Sequence, residues 1–240
     1  MKRVFLASVS LLALMAGRSA LAAPPKAPAP YFSWTGCYVG GNVGGGWGSK
    51  ELTDVPPNGM LVGSLSENIS GFLGGGQIGC NYQFAKNWVI GLEGDLSGAD
   101  IRGNASGAFG LTTTTFSAQT AVISTVVARF GYSWDRWLMY VKGGAAWAAD
   151  EYQATNSYWG SYNAAETRSG WTLGAGLEWA FADHWSARLE YNLYDFGSRT
   201  LQFVYVPGTG TPAGGGALPV SPENVNQQIQ ALTVGLNYRF

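Results

Sequence analysis

The sequence predicts an all-β protein, an eight-stranded antiparallel up-and-down transmembrane β-barrel. Three observations carry that prediction. Over the final stretch IQALTVGLNYRF, Leu232, Val234, Leu236, Tyr238 and Phe240 alternate with Ala231, Thr233, Gly235, Asn237 and Arg239. Successive strand residues face opposite sides, so one face is wholly apolar and the other polar or small. Three short turns, at 85–87, 134–136 and 182–184, are each followed at once by Trp88, Trp137 or Trp185. Short connections alternate strictly with long ones at 49–69, 99–120, 149–166 and 197–226. Membrane barrels have tight turns on the periplasmic side and long loops outside.

The elements follow in order. Residues 1–22 read as a secretory signal: Lys2 and Arg3, the apolar run VFLASVSLLALMA, a break at Gly17 and the small-x-small site Ala20-Leu21-Ala22. Cleavage is expected after Ala22. A membrane anchor fits less well, because the apolar run is too short to span. Residues 23–33, APPKAPAPYFS, form a Pro/Ala-rich periplasmic lead-in without a fold of its own. The barrel is expected over 34–240.

Strands are expected at about 34–47, 70–84, 88–98, 121–133, 137–148, 167–181, 185–196 and 227–240. Each reaches the roughly 9–11 residues that a tilted membrane strand needs. In the second, Phe72, Ile78, Cys80, Tyr82 and Phe84 oppose Gln77, Asn81 and Gln83. In the third, Trp88, Ile90, Leu92 and Leu96 oppose Glu93 and Asp95. Trp171, Leu173, Ala175, Leu177 and Trp179 of the sixth oppose Thr172 and Glu178, and the seventh sets Leu189, Tyr191 and Leu193 against Arg188, Glu190 and Asn192. The first strand, WTGCYVGGNVGGGW, is too glycine-rich to phase. Trp34, Trp88, Trp137, Trp185 and Phe240 are expected to form a girdle at the membrane interface, where aromatic rings prefer to sit.

Composition agrees. Charged residues make up 12% of the 240, few for a soluble surface, while Gly reaches 35 and aromatics 14%. Removing the signal leaves 11 basic against 15 acidic residues, a net of −4. That balance gives no basis for nucleic-acid binding. A soluble eight-stranded ligand carrier would turn its apolar face inward and would need many charges outside, which these strands do not supply.

The polar faces carry Glu93, Asp95, Arg129, Lys142, Glu178, Arg188, Glu190 and Arg239, four acids and four bases. Inside a narrow barrel such groups must pair or stay hydrated. They are expected to form a luminal ion-pair network, with Arg129 and Lys142 inward near Glu93, Asp95 and Glu178. The other reading is a charged constriction passing ions, with Gly40, Gly44 and Gly174 leaving room for water. Pairing of the first two strands would bring Cys37 and Cys80 together. They form either a disulfide in an oxidising compartment or two small apolar residues filling the wall. The one His, His184, lies in a turn, and no metal-ligand cluster, cofactor motif or catalytic constellation is present.

The segments WTGCYVGGNVGGGWG, GFLGGGQIGCNYQ, NWVIGLEGDLSGA and VGLNYRF resemble the small porin-like outer-membrane β-barrel family of alphaproteobacteria. That family is similar to the transmembrane half of OmpA-type proteins. The resemblance covers essentially the whole mature chain. It implies a location in the cell outer membrane among lipids and lipopolysaccharide, and delivery by the barrel-assembly machinery, which reads the terminal aromatic. It also implies a part in envelope integrity, host or surface ligands at the long loops and, in some members, haem binding. It supplies no catalytic residues. The chain departs from OmpA-type proteins in Cys37 and Cys80 and in having no peptidoglycan-binding domain after Phe240. Three functions follow in order of fit: a structural and surface-interaction barrel, a narrow non-specific diffusion porin for ions and small solutes, and an outer-leaflet lipid enzyme.

Overall fold

A computed structural model describes residues 32–54, 64–109, 112–156, 160–201, 204–205 and 223–240. The signal at 1–22 and most of the lead-in lie outside the described residues. Eight long strands and one short one follow in chain order: β1 (Gly36–Asp54), β2 (Ser64–Phe84), β3 (Trp88–Phe109), β4 (Thr112–Trp134), β5 (Trp137–Asn156), β6 (Gly160–Trp179), β7 (Trp185–Leu201), β8 (Val204–Tyr205) and β9 (Glu223–Arg239). The long strands pair antiparallel with their chain neighbours. β1 pairs with β9 to close the ring, and the two-residue β8 lies beside β6. No described residue is helical.

The side-chain alternation is the reverse of a soluble protein's. Val39, Phe72, Ile78, Leu92, Val126, Leu173 and Val234 stand exposed on the outer wall, Phe72 at 81%. Asn42, Gln77, Glu93, Arg129, Lys142 and Glu190 are buried inside. A lipid surround makes that arrangement favourable, because closure satisfies the backbone and the outer wall is as apolar as the acyl chains.

The strands run well past the expected membrane spans. Most of 49–69, 99–120 and 149–166, expected as loops, is strand, and β7 and β9 extend into 197–226. The composition there, rich in Ser, Thr, Asn and Gln, was misleading for a physical reason. Above the apolar band the outer face turns polar while the inner face mixes Ile101, Ala118, Tyr152 and Val225 with Lys50, Thr120 and Asp150, so the period-2 contrast blurs although the ladder continues. Strands β3 and β4 shift register between Gly98 and Ile101, and β4 and β5 between Thr120 and Val122. These irregularities sit near the top of the apolar band, where bulges re-aim side chains.

The opposite end is closed by tight turns. Ala85 and Lys86 have φ of 45° and 68°, and Asp135 has 53°. None is glycine, so each holds a left-handed conformation that costs about 1–2 kcal/mol. The ladders on either side must offset that strain.

Two layers of the interior are apolar. Near the tight turns, Phe32 and Trp34 pack with Val89, Leu138, Tyr140 and Ala180. Higher up, Ile69, Leu73, Ile101, Ile123, Tyr194, Phe196 and Ile229 form a belt with Ala146, Ala148 and Ala231. Trp34 was expected in the outer girdle. It is instead 0% exposed inside the barrel end. The reason is parity: Trp34 shares its side of the chain with Tyr38 and Asn42, both inward, and the glycines between them hid that phase.

Candidate functional site

Between the two apolar layers lies a charged layer centred on Glu93. Arg188 Nη1 donates to Glu93 Oε2 at 2.7 Å, Lys142 Nζ to Oε1 at 3.0 Å and Arg129 Nη1 to Oε2 at 3.3 Å. The Tyr38 hydroxyl donates to Oε2 at 2.6 Å. Arg129 reaches on to Glu178 at 2.9 Å, and Arg188 to Glu190 at 2.8 Å. Lys142 also pairs with Glu190. Three acids thus meet three bases, each no more than 6% exposed at its side chain. A buried network of this kind is tolerable only when every charge has a partner. The Arg129 guanidinium also lies 3.9 Å from the centre of the Tyr140 ring, a cation–π contact.

Six of the eight sequence-predicted luminal charges therefore gather here. Asp95 and Arg239 do not join them. Asp95 lies one layer up and accepts from Asn42 Nδ2 and Ser97 Oγ, both at 2.7 Å. Gln77 links that layer, accepting from Asn42 at 2.7 Å and donating to Asn237 at 2.7 Å. Arg239 lies at the tight-turn end, its guanidinium 4.7 Å from the Phe32 ring centre and 5.1 Å from that of Trp34. It bonds the Ser33 carbonyl there, so it clamps the aromatic end rather than the ion-pair layer.

A second charged layer lies above the apolar belt. Lys50 is 3.3 Å and Arg168 3.5 Å from the Asp150 carboxylate, and all three side chains are 0% exposed. Tyr152 donates to Asp150 at 3.3 Å, Thr120 also bonds it, and Arg168 Nη1 reaches the Val225 carbonyl at 2.9 Å. The sequence reading missed this layer: Lys50, Thr120, Asp150 and Tyr152 fell in stretches read as loops, and Arg168 lies at the start of the strand expected over 167–181, ahead of the alternation read from Trp171. It missed Tyr38 for a different reason, the unphased glycines of the first strand.

The glycines expected to leave water space are filled. A Cβ at Gly40 would fall 2.1 Å from Asn237 Oδ1 and 2.6 Å from Gln77 Nε2. One at Gly174 would fall 2.3 Å from Asn192 Oδ1, and one at Gly44 would meet the Leu232 carbonyl at 2.1 Å. These positions admit neighbouring groups to the lumen. Beside Asn42, Asp95 and Arg188 a cavity of about 10 Å³ remains, room for about one water molecule.

Cys37 and Cys80 face each other across β1 and β2 and are joined by a disulfide on the outer wall. His184, in the last tight turn, shares a 2.9 Å hydrogen bond between its Nδ1 and the Arg239 carbonyl. Among the described residues no group of His, Cys, Asp and Glu is placed to hold a metal ion.

The family model for the outer membrane protein beta-barrel domain matches residues 9–240. The chain belongs to this family. It is an outer-membrane protein. It is 36% identical over 265 aligned positions to the 31 kDa outer-membrane immunogenic protein of Brucella melitensis, with all of both chains covered. It is 26% identical to the 25 kDa outer-membrane immunogenic protein of Brucella abortus, over 75% of this chain and 74% of that one. Among solved structures, the outer membrane protease OmpT from Escherichia coli superposes with a TM-score of 0.54 at 7% identity, over 88% of this chain and 99% of that one. At that identity the likeness is one of fold alone.

For an outer-membrane barrel the tight turns mark the periplasmic end. Trp88, Trp137, Trp185 and Phe240 stand outward there, Phe240 at 74% exposure. Trp88 stacks on Phe130 at 5.1 Å, Trp137 on Trp179 at 5.7 Å, and Trp185 meets Tyr238 edge-on at 5.2 Å. A second outward set, Trp47, Phe72, Trp147, Trp171 and Tyr191, sits at the other edge of the apolar band. Beyond it the outer wall turns polar at Ser49, Asp100, Gln119, Glu151 and Gln228. The Glu93 layer thus lies within the membrane-spanning part, and the Asp150 layer above it.

Proposed function

We propose that this outer-membrane protein is a closed structural barrel that stabilises the envelope and carries its own wall beyond the outer leaflet, with no catalytic step of its own. The observation supporting this reading is the stack of layers across the lumen: aromatic, charged, amide, apolar and charged again. An ion crossing it would have to break the pairs around Glu93 and then pass a belt of Ile, Leu and Phe. Hydrophobic constrictions and buried pairs are each large barriers. The aromatics at both edges of the apolar band would hold the barrel at a fixed depth. Export through a signal cleaved after Ala22 and assembly guided by Phe240 belong to the same reading. So do surface contacts made by the extracellular end.

Planar-bilayer recording on the refolded protein tests it. The expected trace has no steady open level. A reproducible open level in most insertions would overturn the structural reading and leave the diffusion porin in its place.

A further inference from the structure

The outer wall above the extracellular girdle carries a groove of about 660 Å³ across β3 to β6. Strand register sets its lining in two rows. Arg102 lies opposite Gln119, which lies opposite Glu151. One step further up, Asn104, Ser117, Gln153 and Asn163 stand side by side on four neighbouring strands. Ala164 and Ala165 leave its floor on β6 shallow.

Three features define what fits. The first is chemistry. Amides and a hydroxyl dominate, and the one cation, Arg102, is already paired with Asp100. Gln119 donates to the same Asp100 at 3.3 Å. Such a lining offers paired donors and acceptors but no net positive charge, which suits neutral hydroxyl-rich rings better than phosphate. The second is height. Glu151 and Gln153 are four and six residues beyond Trp147 on the same strand, about 13 and 20 Å along it, or roughly 10–15 Å above the girdle at a tilt of 35–45°. The polar headgroup zone of a phospholipid leaflet adds only about 5–8 Å per side. The groove therefore stands above phosphate level. The third is direction. It opens sideways along the membrane, toward neighbours in the same leaflet.

We propose that this groove binds the sugar portion of the outer-leaflet glycolipid, so that the barrel is laterally tied to the saccharide layer around it. Recognition is by hydrogen bonds between ring hydroxyls and the amides of Asn104, Gln153 and Asn163, while the Ser117 hydroxyl, which donates to Asn104 Oδ1 at 2.7 Å, is left to accept. The small floor residues admit the apolar face of a ring. This deepens the envelope-stabilising reading, but its test is independent of whether the lumen conducts.

The test compares the refolded protein in vesicles containing core-bearing glycolipid, in vesicles containing lipid A without core sugars, and in the latter with free core oligosaccharide added. The expected urea-unfolding half-life is about fivefold longer with the core-bearing lipid, the factor that one net hydrogen bond's worth of binding gives. Asn104→Ala combined with Gln153→Ala should remove that gain. Asn226→Ala with Gln228→Ala, at exposed outward positions on β9, should keep it. Equal half-lives in the two lipids, or equal loss in the two double variants, would overturn the proposal. An equal gain from free oligosaccharide would overturn its lipid-borne source. A photo-cross-linking side chain at Gln153 gives a second readout that does not depend on unfolding rates. It should capture glycolipid well above the yield from the same group at Gln228, and equal yields would overturn the site.

Discussion

The charged layer around Glu93 and the charged layer around Asp150 use the same groups in different surroundings. Both are sealed from solvent within the barrel, and both set a carboxylate against more than one cation. Outside the first, the wall faces lipid through Val39, Leu92 and Leu189. Outside the second it faces water through Glu51, Glu151 and Gln228. A charge stranded in the first layer has only the lumen to relax into. One stranded in the second is a short strand movement from water. The lower layer should therefore be brittle and the upper one forgiving, although the pair geometry is similar.

The largest expected effect tests that contrast directly. Glu93→Gln leaves Arg129, Lys142 and Arg188 around a neutral amide, with only Glu178 and Glu190 to share. The expected loss is about 3–5 kcal/mol, the range for breaking a buried pair. Asp150→Asn should cost clearly less, because Glu166 stands 3.8 Å from Arg168 and water can enter from above. Both are read by urea unfolding in lipid vesicles. Equal losses would remove the distinction between the layers.

The lower half is also covalently held. The Cys37–Cys80 disulfide spans 43 residues of sequence, and the loop it closes would be worth about 4 kcal/mol by chain entropy alone. Replacing both cysteines by Ala should shorten the unfolding half-life and lower stability by about 2–4 kcal/mol. The β1–β2 register should still form, since the ladder continues for many residues on either side. A loss of folding altogether would mean that the disulfide sets the register.

How far the sequence could be read follows the same line through the molecule. Within the membrane, lipid on one side and packed polar groups on the other force strict alternation, so the barrel, its tight turns and Glu93, Arg129, Lys142, Glu178, Arg188 and Glu190 could all be phased. Where the wall leaves the lipid, nothing requires the outer face to be apolar. Lys50 and Asp150 then look like loop residues, and Arg168, at the start of the strand expected over 167–181, goes unread. Glycine erased the phase of the first strand, which hid Tyr38 and misplaced Trp34. Pairing partners were beyond reach as well. Neighbouring strands suggested that Lys142 could sit near Glu178, but Glu178 bonds Arg129, Ser186 and Asn237. Which acid meets which base depends on register and side-chain length.

A double-mutant cycle tests that partner choice. Arg129→Met and Glu178→Gln, singly and together, should show coupling of about 1–3 kcal/mol, as residues in one network do. The cycle on Lys142→Met and Glu178→Gln should show markedly less. Larger coupling for Lys142 than for Arg129 would contradict the network's wiring.

The smallest effect belongs to the upper layer and depends on pH. Tyr152 is buried beside Asp150, and its hydroxyl lies 3.3 Å from that carboxylate and 3.4 Å from Lys50 Nζ. Burial first, and then the Asp150 charge, raise the phenol above its ordinary value. Tyr152→Phe deletes one hydrogen-bonding group and should cost about 0.5–1.5 kcal/mol at neutral pH. The difference between wild type and variant should then shrink with alkali. An unfolded tyrosine ionises near pH 10, whereas the folded one stays protonated, so above that pH the unfolded state binds fewer protons and stability falls. Near pH 11 this loss is roughly 1.4 kcal/mol, enough to cancel the hydrogen bond's contribution or reverse it. The other tyrosines titrate in both proteins and cancel in the difference. Urea unfolding at neutral and alkaline pH measures it. A difference that stays constant through pH 11 would mean that Tyr152 ionises in the folded barrel, and so that the upper layer is wet rather than sealed.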